Sequence, residues 1–163
     1  MATTAVRQQK LIAWLGTAIL ALQPKGILLG KAIVRKLETL FGIHATYGEL
    51  DTTFHRDDFR RSDKLLIPNE VNIDFEIENK RIILVDDVLY TGRSIRAALD
   101  AVNDYGRPAS IKLVTLINRK YKREVPIQPD YIGENVDSRT DDYVKVEWDN
   151  NQCKVWIITD NAK

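Results

Sequence analysis

Two adjacent carboxylates, Asp86 and Asp87, follow a run of four apolar residues at positions 82–85. After a short turn, the segment Thr91-Gly92-Arg93-Ser94 opens a helical pattern. A helix N-terminus carries unpaired N–H groups and a partial positive charge, which suit a phosphate, and a glycine there lets the backbone approach closely. The carboxylates would repel that phosphate, so we assign them to sugar hydroxyls, bound directly or alongside Mg²⁺. These residue types predict a ribose 5-phosphate site.

A second interpretation of the same residues stays open at this point. Acidic pairs at strand ends often only solvate a loop, and Thr-Gly before a helix is often only an N-cap. Short motifs match by chance at a high rate. Spacing alone therefore does not separate a phosphate site from an ordinary turn.

Hydrophobic periodicity predicts the elements that must position these residues. A buried strand is predicted at residues 17–22, followed by a turn at 23–26 and a helix that ends at Gly42. Residues 44–54 are predicted to form one or two strands. The polar stretch 56–68 shows no stable period and predicts a long loop, a feature that is often functional in compact domains.

The second half of the chain repeats the pattern. Alternating polarity predicts a half-buried strand at 71–77, and an apolar run predicts a buried strand at 81–85. A helix is predicted from the spacing of Ile95, Ala98, Leu99 and Val102, and a third buried strand at 111–117. The segments 143–148 and 155–159 predict a terminal hairpin.

This order of elements predicts an α/β fold with a mainly parallel central sheet flanked by helices. Ligands of such sheets bind at the carboxyl ends of the strands. The carboxylate pair and the helix N-terminus that follows it are therefore expected at the same rim of the sheet.

The composition excludes several classes of protein. The 163 residues fit one domain, 1–163, and 44% of them are hydrophobic, which excludes a disordered chain. A net charge of +1 argues against a surface that binds nucleic acid throughout. The single cysteine, Cys153, indicates a reducing compartment, and we expect the cytoplasm. The uncharged run at 11–22 resembles a signal peptide's apolar region, but it is too short to span a bilayer, which takes about 20 residues.

A family resemblance goes further than these patterns. Residues 82–94 resemble the phosphoribosyl-pyrophosphate signature of type I phosphoribosyltransferases. The wording VDDVLYTGRSIRAALDA at 85–101 is similar to the PyrR family, which comprises bifunctional pyrimidine-operon regulators and uracil phosphoribosyltransferases. GELDTTFHRDD at 48–58 resembles that family's GELDITLYRDD, and residues 124–127 with 130–133 resemble its RELPI…DYVG. The resemblance extends in order from residue 18 to residue 148.

The resemblance implies a type I phosphoribosyltransferase fold with a flexible catalytic loop, a small hood and a C-terminal β-hairpin. The implied reaction transfers the phosphoribosyl group of phosphoribosyl pyrophosphate to uracil, giving UMP and pyrophosphate, through a transition state similar to an oxocarbenium ion. The implied cofactor is Mg²⁺, held by the substrate near Asp86 and Asp87. The family also implies a homo-oligomer, either dimer or tetramer, and no membrane partner.

The same resemblance implies which residues catalyse the reaction and which bind the substrate. The catalytic ones are Asp86, Asp87 and Arg56, the last in a catalytic loop at 56–68. The residues implied to bind phosphoribosyl pyrophosphate or UMP are Lys25, Gly26, Asp57, Val88, Leu89, Tyr90, Thr91, Gly92, Arg93, Ser94 and Arg119. Asp57 and Asp58 are implied to help position the pyrophosphate or Mg²⁺, and the two histidines, His44 and His55, are expected to be structural or exposed.

The chain departs from the family at three places. Lys25 stands where the family usually has Arg, and a hood text similar to DRGHRELP reads NRKYKREVP at 118–126, with one extra residue. The family has a full helix before the first strand, whereas residues 1–16 are short and match it poorly. We therefore expect a shortened N-terminal helix or missing residues before Thr17.

Two alternative functions compete with catalysis. Four basic residues among positions 119–123 surround Tyr121, a composition that suits RNA, although such runs are more often only solvated. The family's regulatory branch binds the pyrimidine mRNA leader, so one alternative is a UMP-sensing RNA-binding regulator with weak or no catalysis. The other is a phospho-acceptor receiver domain, which we disfavour because the strand at 111–117 ends in Asn118-Arg119 and not in Lys.

Overall fold

The computed structural model describes residues 16–57, 72–137, 142–149 and 152–159. Its elements, in chain order, are β1 (Thr17–Leu22), α1 (Gly26–Phe41), β2 (Thr46–Leu50), a short 3-10 helix (Thr53–His55), β3 (Arg81–Leu89), α2 (Arg93–Asn103), β4 (Ser110–Arg119), β5 (Tyr131–Val136), β6 (Tyr143–Asp149) and β7 (Gln152–Ile158). β2, β1, β3, β4 and β5 form a parallel sheet in that order, and β6 pairs with β7 in an antiparallel hairpin. The predicted α/β class and the terminal hairpin are confirmed.

The central strand β3 explains why the sheet needs a helical layer on each face. Its side chains alternate, so that Leu84 packs in one core and Val85 in the other, and both are fully buried. Burial of a side chain of this size contributes about 1.5–3 kcal/mol. α2 covers the first core through Ile95 and Val102, and α1 covers the second through Leu29.

The helix α1 ends where the sequence predicts. Gly42 adopts a left-handed conformation with φ of 65°, and its N–H donates to the carbonyl of Glu38 at 2.8 Å. A residue with a side chain is disfavoured in this conformation, so a glycine stops the helix at low cost. None of the described helices is long and apolar enough to cross a membrane, and the second part of the run 11–22 is strand β1.

The structure corrects two predicted strands. The strand predicted at 71–77 is wrong over the described residues 72–77, where the ladder contact is one isolated bridge between Asn72 and Glu49. The predicted alternation is seen in the packing of the side chains. Ile77 is fully buried, and Ile73 and Phe75 pack on the same core. These side chains anchor an irregular segment.

Of the one or two strands predicted at 44–54, the structure contains one, β2, and a second strand at residues 52–54 is wrong. Thr53 begins a turn of 3-10 helix because the Asp51 carboxylate accepts hydrogen bonds from its backbone N–H, at 2.8 Å, and from its hydroxyl, at 2.6 Å. Local side-chain acceptors of this kind compete with strand pairing. Beyond Asp57, the predicted catalytic loop at 56–68 lies outside the described residues, as does the N-terminal segment before Gly16.

Candidate active site

A cleft of about 480 Å³ opens at the carboxyl ends of β1 and β3. It is the place that the parallel topology predicts for a ligand. The residues that line it come from five segments of the chain and are Leu22, Gln23, Pro24, Lys25, Thr52, Arg56, Asp86, Asp87, Val88, Tyr90, Ser94, Arg119, Asp142, Tyr143 and Val144. The fold therefore brings the two acids, Lys25, Arg56 and the buried Arg119 to one cavity.

The carboxylate pair lies inside β3 and not after it, because the strand continues to Leu89 where the sequence predicted an end at residue 85. Asp86 and Asp87 are consequently only 9% and 6% exposed. The backbone N–H of Asp87 donates to Asp86 Oδ1 at 2.9 Å, and the N–H of Val88 donates to Asp87 Oδ1 at 2.7 Å. These hydrogen bonds hold both carboxyl groups against the strand.

Burial, together with the negative charge of Asp87, raises the pKa of Asp86 to about 7. Burial also raises the pKa of Asp87, while the positive charge of Lys25 opposes this rise. A desolvated carboxylate pair is poised to bind positive charge or hydroxyl donors, since both replace the lost hydration. The pair is therefore the electrostatic centre of the cleft.

The turn between β3 and α2 leads directly into the helix N-terminus for which the sequence predicts a phosphate. Gly92 precedes the first residue of α2 with φ of 89°, and a Cβ at this position would lie 3.2 Å from the carbonyl oxygen of Val125. Within this turn, Val88, Tyr90 and Ser94 line the cleft. Leu89, by contrast, is buried in the core against α2.

A second turn, after β1, faces the carboxylates from the other side. Gln23 donates its backbone N–H to the carbonyl of Leu50 at 3.0 Å, which fixes the turn beside β2. Gly26 begins α1, and a Cβ there would lie 2.4 Å from the carbonyl oxygen of Val85. Only a glycine permits this approach of α1 to β3, which brings the preceding Lys25 to the cleft.

The segment after the 3-10 helix places two predicted site residues differently. Arg56 lines the cleft. The carboxylate of Asp57 pairs with Arg93 at 2.7 Å and also with Arg96, both on α2. Asp58 lies outside the described residues.

The basic run at 119–123, where β4 leads into the hood, is partly buried in the protein. Arg119 is 5% exposed and stacks over the Tyr90 ring, 3.6 Å from its centroid. The guanidinium of Arg123 donates to the carbonyl of Tyr90 and to Asn118 Oδ1. Tyr121, by contrast, is 61% exposed.

Part of the site was missed by the sequence analysis. Asp142, Tyr143 and Val144, at the start of the hairpin, form a further wall of the cleft. The Tyr143 ring lies 6.0 Å from Lys25 Nζ, at the outer limit of a cation–π contact. Their alternation predicted only a hairpin, because no local pattern reports which distant strand it packs against.

The histidines make contacts outside the cleft. His55 Nε2 lies 2.9 Å from Asp104 at the end of α2, and His44 Nδ1 lies 3.3 Å from Glu38. Among the described residues, no group of three or more His, Cys, Asp or Glu side chains is arranged to hold a metal ion by itself. Two buried carboxylates do suit Mg²⁺ that is shared with substrate phosphates, since this ion is usually held by one or two carboxylates and keeps its other ligands outside the protein.

Comparison with known proteins identifies the family. The model of the phosphoribosyl transferase domain matches residues 5–150. A "Bifunctional protein PyrR" from Picosynechococcus sp. is 43% identical over 129 residues, which cover 79% of this chain and 72% of that protein. A protein of the same name from Geobacter sulfurreducens is 42% identical over 134 residues, covering 82% and 75%.

Solved structures support the same fold. A hypoxanthine phosphoribosyltransferase from Staphylococcus aureus superposes with a TM-score of 0.60 at 15% identity, over 86% of this chain and 72% of that one. A hypoxanthine-guanine phosphoribosyltransferase from Bacillus anthracis gives 0.59 at 18% identity, over 86% and 76%. At these identities the likeness concerns the fold alone. Together with the match of the domain model and the identity to the curated relatives, it shows that this chain is a phosphoribosyltransferase and belongs to the PyrR family.

Proposed function

We propose that the chain transfers the phosphoribosyl group of phosphoribosyl pyrophosphate to uracil, with a regulatory role in pyrimidine gene expression as its second activity. The observation that carries the proposal is the arrangement of charge in one cleft. Buried Asp86 and Asp87 share one cleft with three basic residues and with Ser94, near the start of α2. The name that the curated relatives share supports the choice of uracil and the second activity.

Each part of the substrate has a matching part of the cleft. The 5′-phosphate binds the turn Thr91-Gly92-Arg93-Ser94 at the start of α2, where the first N–H groups of a helix have no acceptor within the helix. The ribose hydroxyls bind the carboxylate pair, Asp86 and Asp87. The diphosphate binds the Lys25–Gly26 turn. Arg56, the neighbour of Asp57, completes this part of the site.

The base binds at the hood, against the stacked pair of Tyr90 and Arg119. An aromatic ring and a guanidinium both present flat faces, and the guanidinium also offers N–H donors to carbonyl oxygens. Uracil carries two carbonyl groups, so a buried arginine complements it. Val88 and Leu89, the last two residues of β3, connect this wall to the carboxylates.

The reaction requires little from the protein beyond positioning and charge. A uracil nitrogen forms a bond to the anomeric carbon, the bond from that carbon to the diphosphate oxygen breaks, and the nitrogen's proton leaves to solvent. Asp86 and Asp87 stabilise the positive charge that develops on the ribose, and Arg56 stabilises the departing diphosphate. Asp86 and Asp87 would hold a Mg²⁺ ion carried by the substrate, and this ion would supply further positive charge at the leaving group.

A direct assay tests the substrate. Purified protein is incubated with phosphoribosyl pyrophosphate, Mg²⁺ and either uracil or hypoxanthine, the base named in the structural neighbours. We expect UMP from uracil and no comparable turnover of hypoxanthine. Turnover of hypoxanthine alone would contradict the proposal, and retention of full activity after Asp86→Asn and Asp87→Asn together would contradict the site.

A separate observation supports regulation through RNA. Lys120, Tyr121 and Lys122 are exposed on the outside of the hood, while Lys122 Nζ lies only 5.8 Å from the centroid of the cleft residue Tyr90. A basic surface with an exposed aromatic suits an unpaired base and its phosphates, and its closeness to the cleft would let UMP affect it. Gel shifts with the pyrimidine mRNA leader test this. Equal binding with and without UMP would reject nucleotide sensing.

We also propose a cytoplasmic homo-oligomer, either dimer or tetramer, on the basis of the family. Light scattering coupled to gel filtration measures the mass directly. A monomer at micromolar concentration would contradict the oligomer.

A further inference from the structure

One side chain connects three separate parts of the site. The guanidinium of Arg93 places Nε 2.5 Å from Glu124 Oε2 in the hood and Nη1 2.7 Å from Asp57 Oδ2. Arg93 itself is the first residue of α2, next to the turn that is expected to hold the 5′-phosphate. Residues more than thirty positions away on either side of Arg93 are therefore held by a single planar group.

The groups around this contact reinforce it. Arg96, one turn further along α2, pairs with the same Asp57 and donates to the carbonyl of His55 at 3.5 Å. On the other side, the carbonyl of Thr91 accepts hydrogen bonds from the backbone N–H groups of Glu124, at 2.9 Å, and Val125, at 3.0 Å. The hood is thus bound to the turn by its backbone and by its Glu124 side chain.

We propose that Arg93 is a positioning residue that sets the hood and the Arg56–Asp57 segment relative to the phosphate-binding turn. Its side chain is not among those that line the cleft, whereas Arg56, the neighbour of Asp57, is. By holding Asp57, Arg93 turns Arg56 toward the diphosphate, and by holding Glu124 it keeps the hood against Tyr90. This role rests on the function proposed above.

Arginine is required because the two bonds leave from different nitrogens of one rigid fork. A lysine at position 93 would keep the positive charge, but a single ammonium group cannot reach both carboxylates in this geometry. The three side chains are 55%, 40% and 36% exposed, so each pair alone contributes little to stability. The variants below are therefore expected to fold.

The test compares Arg93→Gln and Arg93→Lys with Asp57→Asn and Glu124→Gln. We expect Asp57→Asn to raise KM for phosphoribosyl pyrophosphate and Glu124→Gln to raise KM for the base, each about threefold to tenfold. Arg93→Gln should raise both, and Arg93→Lys should leave at least one of them raised. In the double variants that combine Arg93→Gln with either partner change, the effects should be less than additive.

The matched control is Lys112→Gln, which removes an exposed ion pair with Asp130, 3.4 Å long, near the start of β4 and outside the cleft. It should stay within about twofold of the parent in every constant. Three results would overturn the proposed role of Arg93. They are unchanged KM values in Arg93→Gln, full recovery of both KM values in Arg93→Lys, and strict additivity of Arg93→Gln with both partner changes.

Two readouts separate this proposal from the choice of substrate. Hydrogen exchange at the N–H groups of Glu124 and Val125 should accelerate at least about threefold in Arg93→Gln, because the hood loses its side-chain anchor. Affinity for phosphoribosyl pyrophosphate, measured by calorimetry, should fall in parallel. Neither measurement needs uracil turnover, so a wild-type protein that ignores uracil would reject the proposed substrate, while unchanged exchange would reject the role of Arg93.

Discussion

The guanidinium of Arg119 lies 3.6 Å from the centroid of the Tyr90 ring. The pair forms because β3 and β4 run parallel in a register that sets Leu89 opposite Asn118, so the residues that follow meet at the rim of the sheet. Arg119 is 5% exposed, and among the described residues no other basic side chain is buried. A buried arginine beside an aromatic ring offers both a stacking face and hydrogen-bond donors to a base.

Removal of either member of this pair should weaken binding of the base. We expect Arg119→Gln to raise KM for uracil about tenfold to a hundredfold, since a hydrogen bond from a charged donor contributes about 1.5–3 kcal/mol. Steady-state kinetics with uracil varied at saturating phosphoribosyl pyrophosphate measures this effect. Lys112→Gln is the control, because Lys112 makes a cation–π contact of the same kind, 5.6 Å from the Tyr131 ring, outside the cleft. An unchanged KM for uracil in Arg119→Gln would show that the base does not bind beside Tyr90 and Arg119.

Asp86→Asn should stabilise the protein while it abolishes activity. At pH 8 the variant removes a buried charge that lies next to a second one, and Asn retains an oxygen to accept the N–H of Asp87. We expect the free energy of unfolding to rise by about 1–3 kcal/mol at pH 8 in urea titrations. Turnover should fall by at least about a hundredfold, because the ribose loses a carboxylate.

The same comparison at lower pH provides the control. Because the native pKa of Asp86 is raised to about 7, the native state keeps its proton between about pH 4 and pH 7 while the unfolded state releases it. The free energy of unfolding of the parent therefore decreases as pH rises through this window, and the variant lacks that decrease. The difference between the two proteins should be small at pH 4. A difference that is equal at pH 4 and pH 8 would show that ionisation is not its cause.

The acid limb of activity should report the same carboxylate pair. We expect kcat/KM to increase with pH and to level off above about pH 7, since the ionised pair binds the ribose and stabilises positive charge. The positive charge of Lys25 lowers the pKa of both acids, so Lys25→Met should move this limb to higher pH. Lys25→Arg should leave it in place. A limb at the same pH in Lys25→Met would mean that other groups control it.

Gly26→Ala tests how closely α1 approaches β3. The added Cβ would lie 2.4 Å from the carbonyl oxygen of Val85, an atom that cannot move without distorting the central strand. We expect a loss of at least about 2 kcal/mol in the free energy of unfolding. Gly42→Ala is the matched control: it meets no atom within 4 Å, and its φ of 65° should cost only about 1 kcal/mol. Equal losses in the two variants would argue against the close approach.

The sequence predicted the elements that local patterns control. The strand at residues 17–22 and the stop of α1 at Gly42 are confirmed, because a buried parallel strand is apolar throughout and a left-handed residue after a helix favours glycine. The same reasoning was wrong at residues 72–77. There the alternation of Ile73, Phe75 and Ile77 reports burial against a core, and burial alone does not require a neighbouring strand.

Recognition of the candidate site also began with a local signal. The order of Asp86, Asp87 and the Gly92 turn is contained in one strand, one turn and the start of one helix, so it is legible from consecutive residues. Motifs of consecutive residues likewise indicated the PyrR family, and the identity to the curated relatives confirms it.

By itself, the sequence determined the α/β class, the mainly parallel character of its sheet and the identity of the acidic pair. Only the tertiary structure decided that Tyr143 walls the cleft, that Arg93 joins Asp57 to Glu124, and that the acids are desolvated within β3. The physical reason is the range of the interactions. Periodicity and caps depend on neighbours a few positions apart, whereas burial, ion pairing and the walls of a cavity depend on residues that meet only when the whole sheet has assembled.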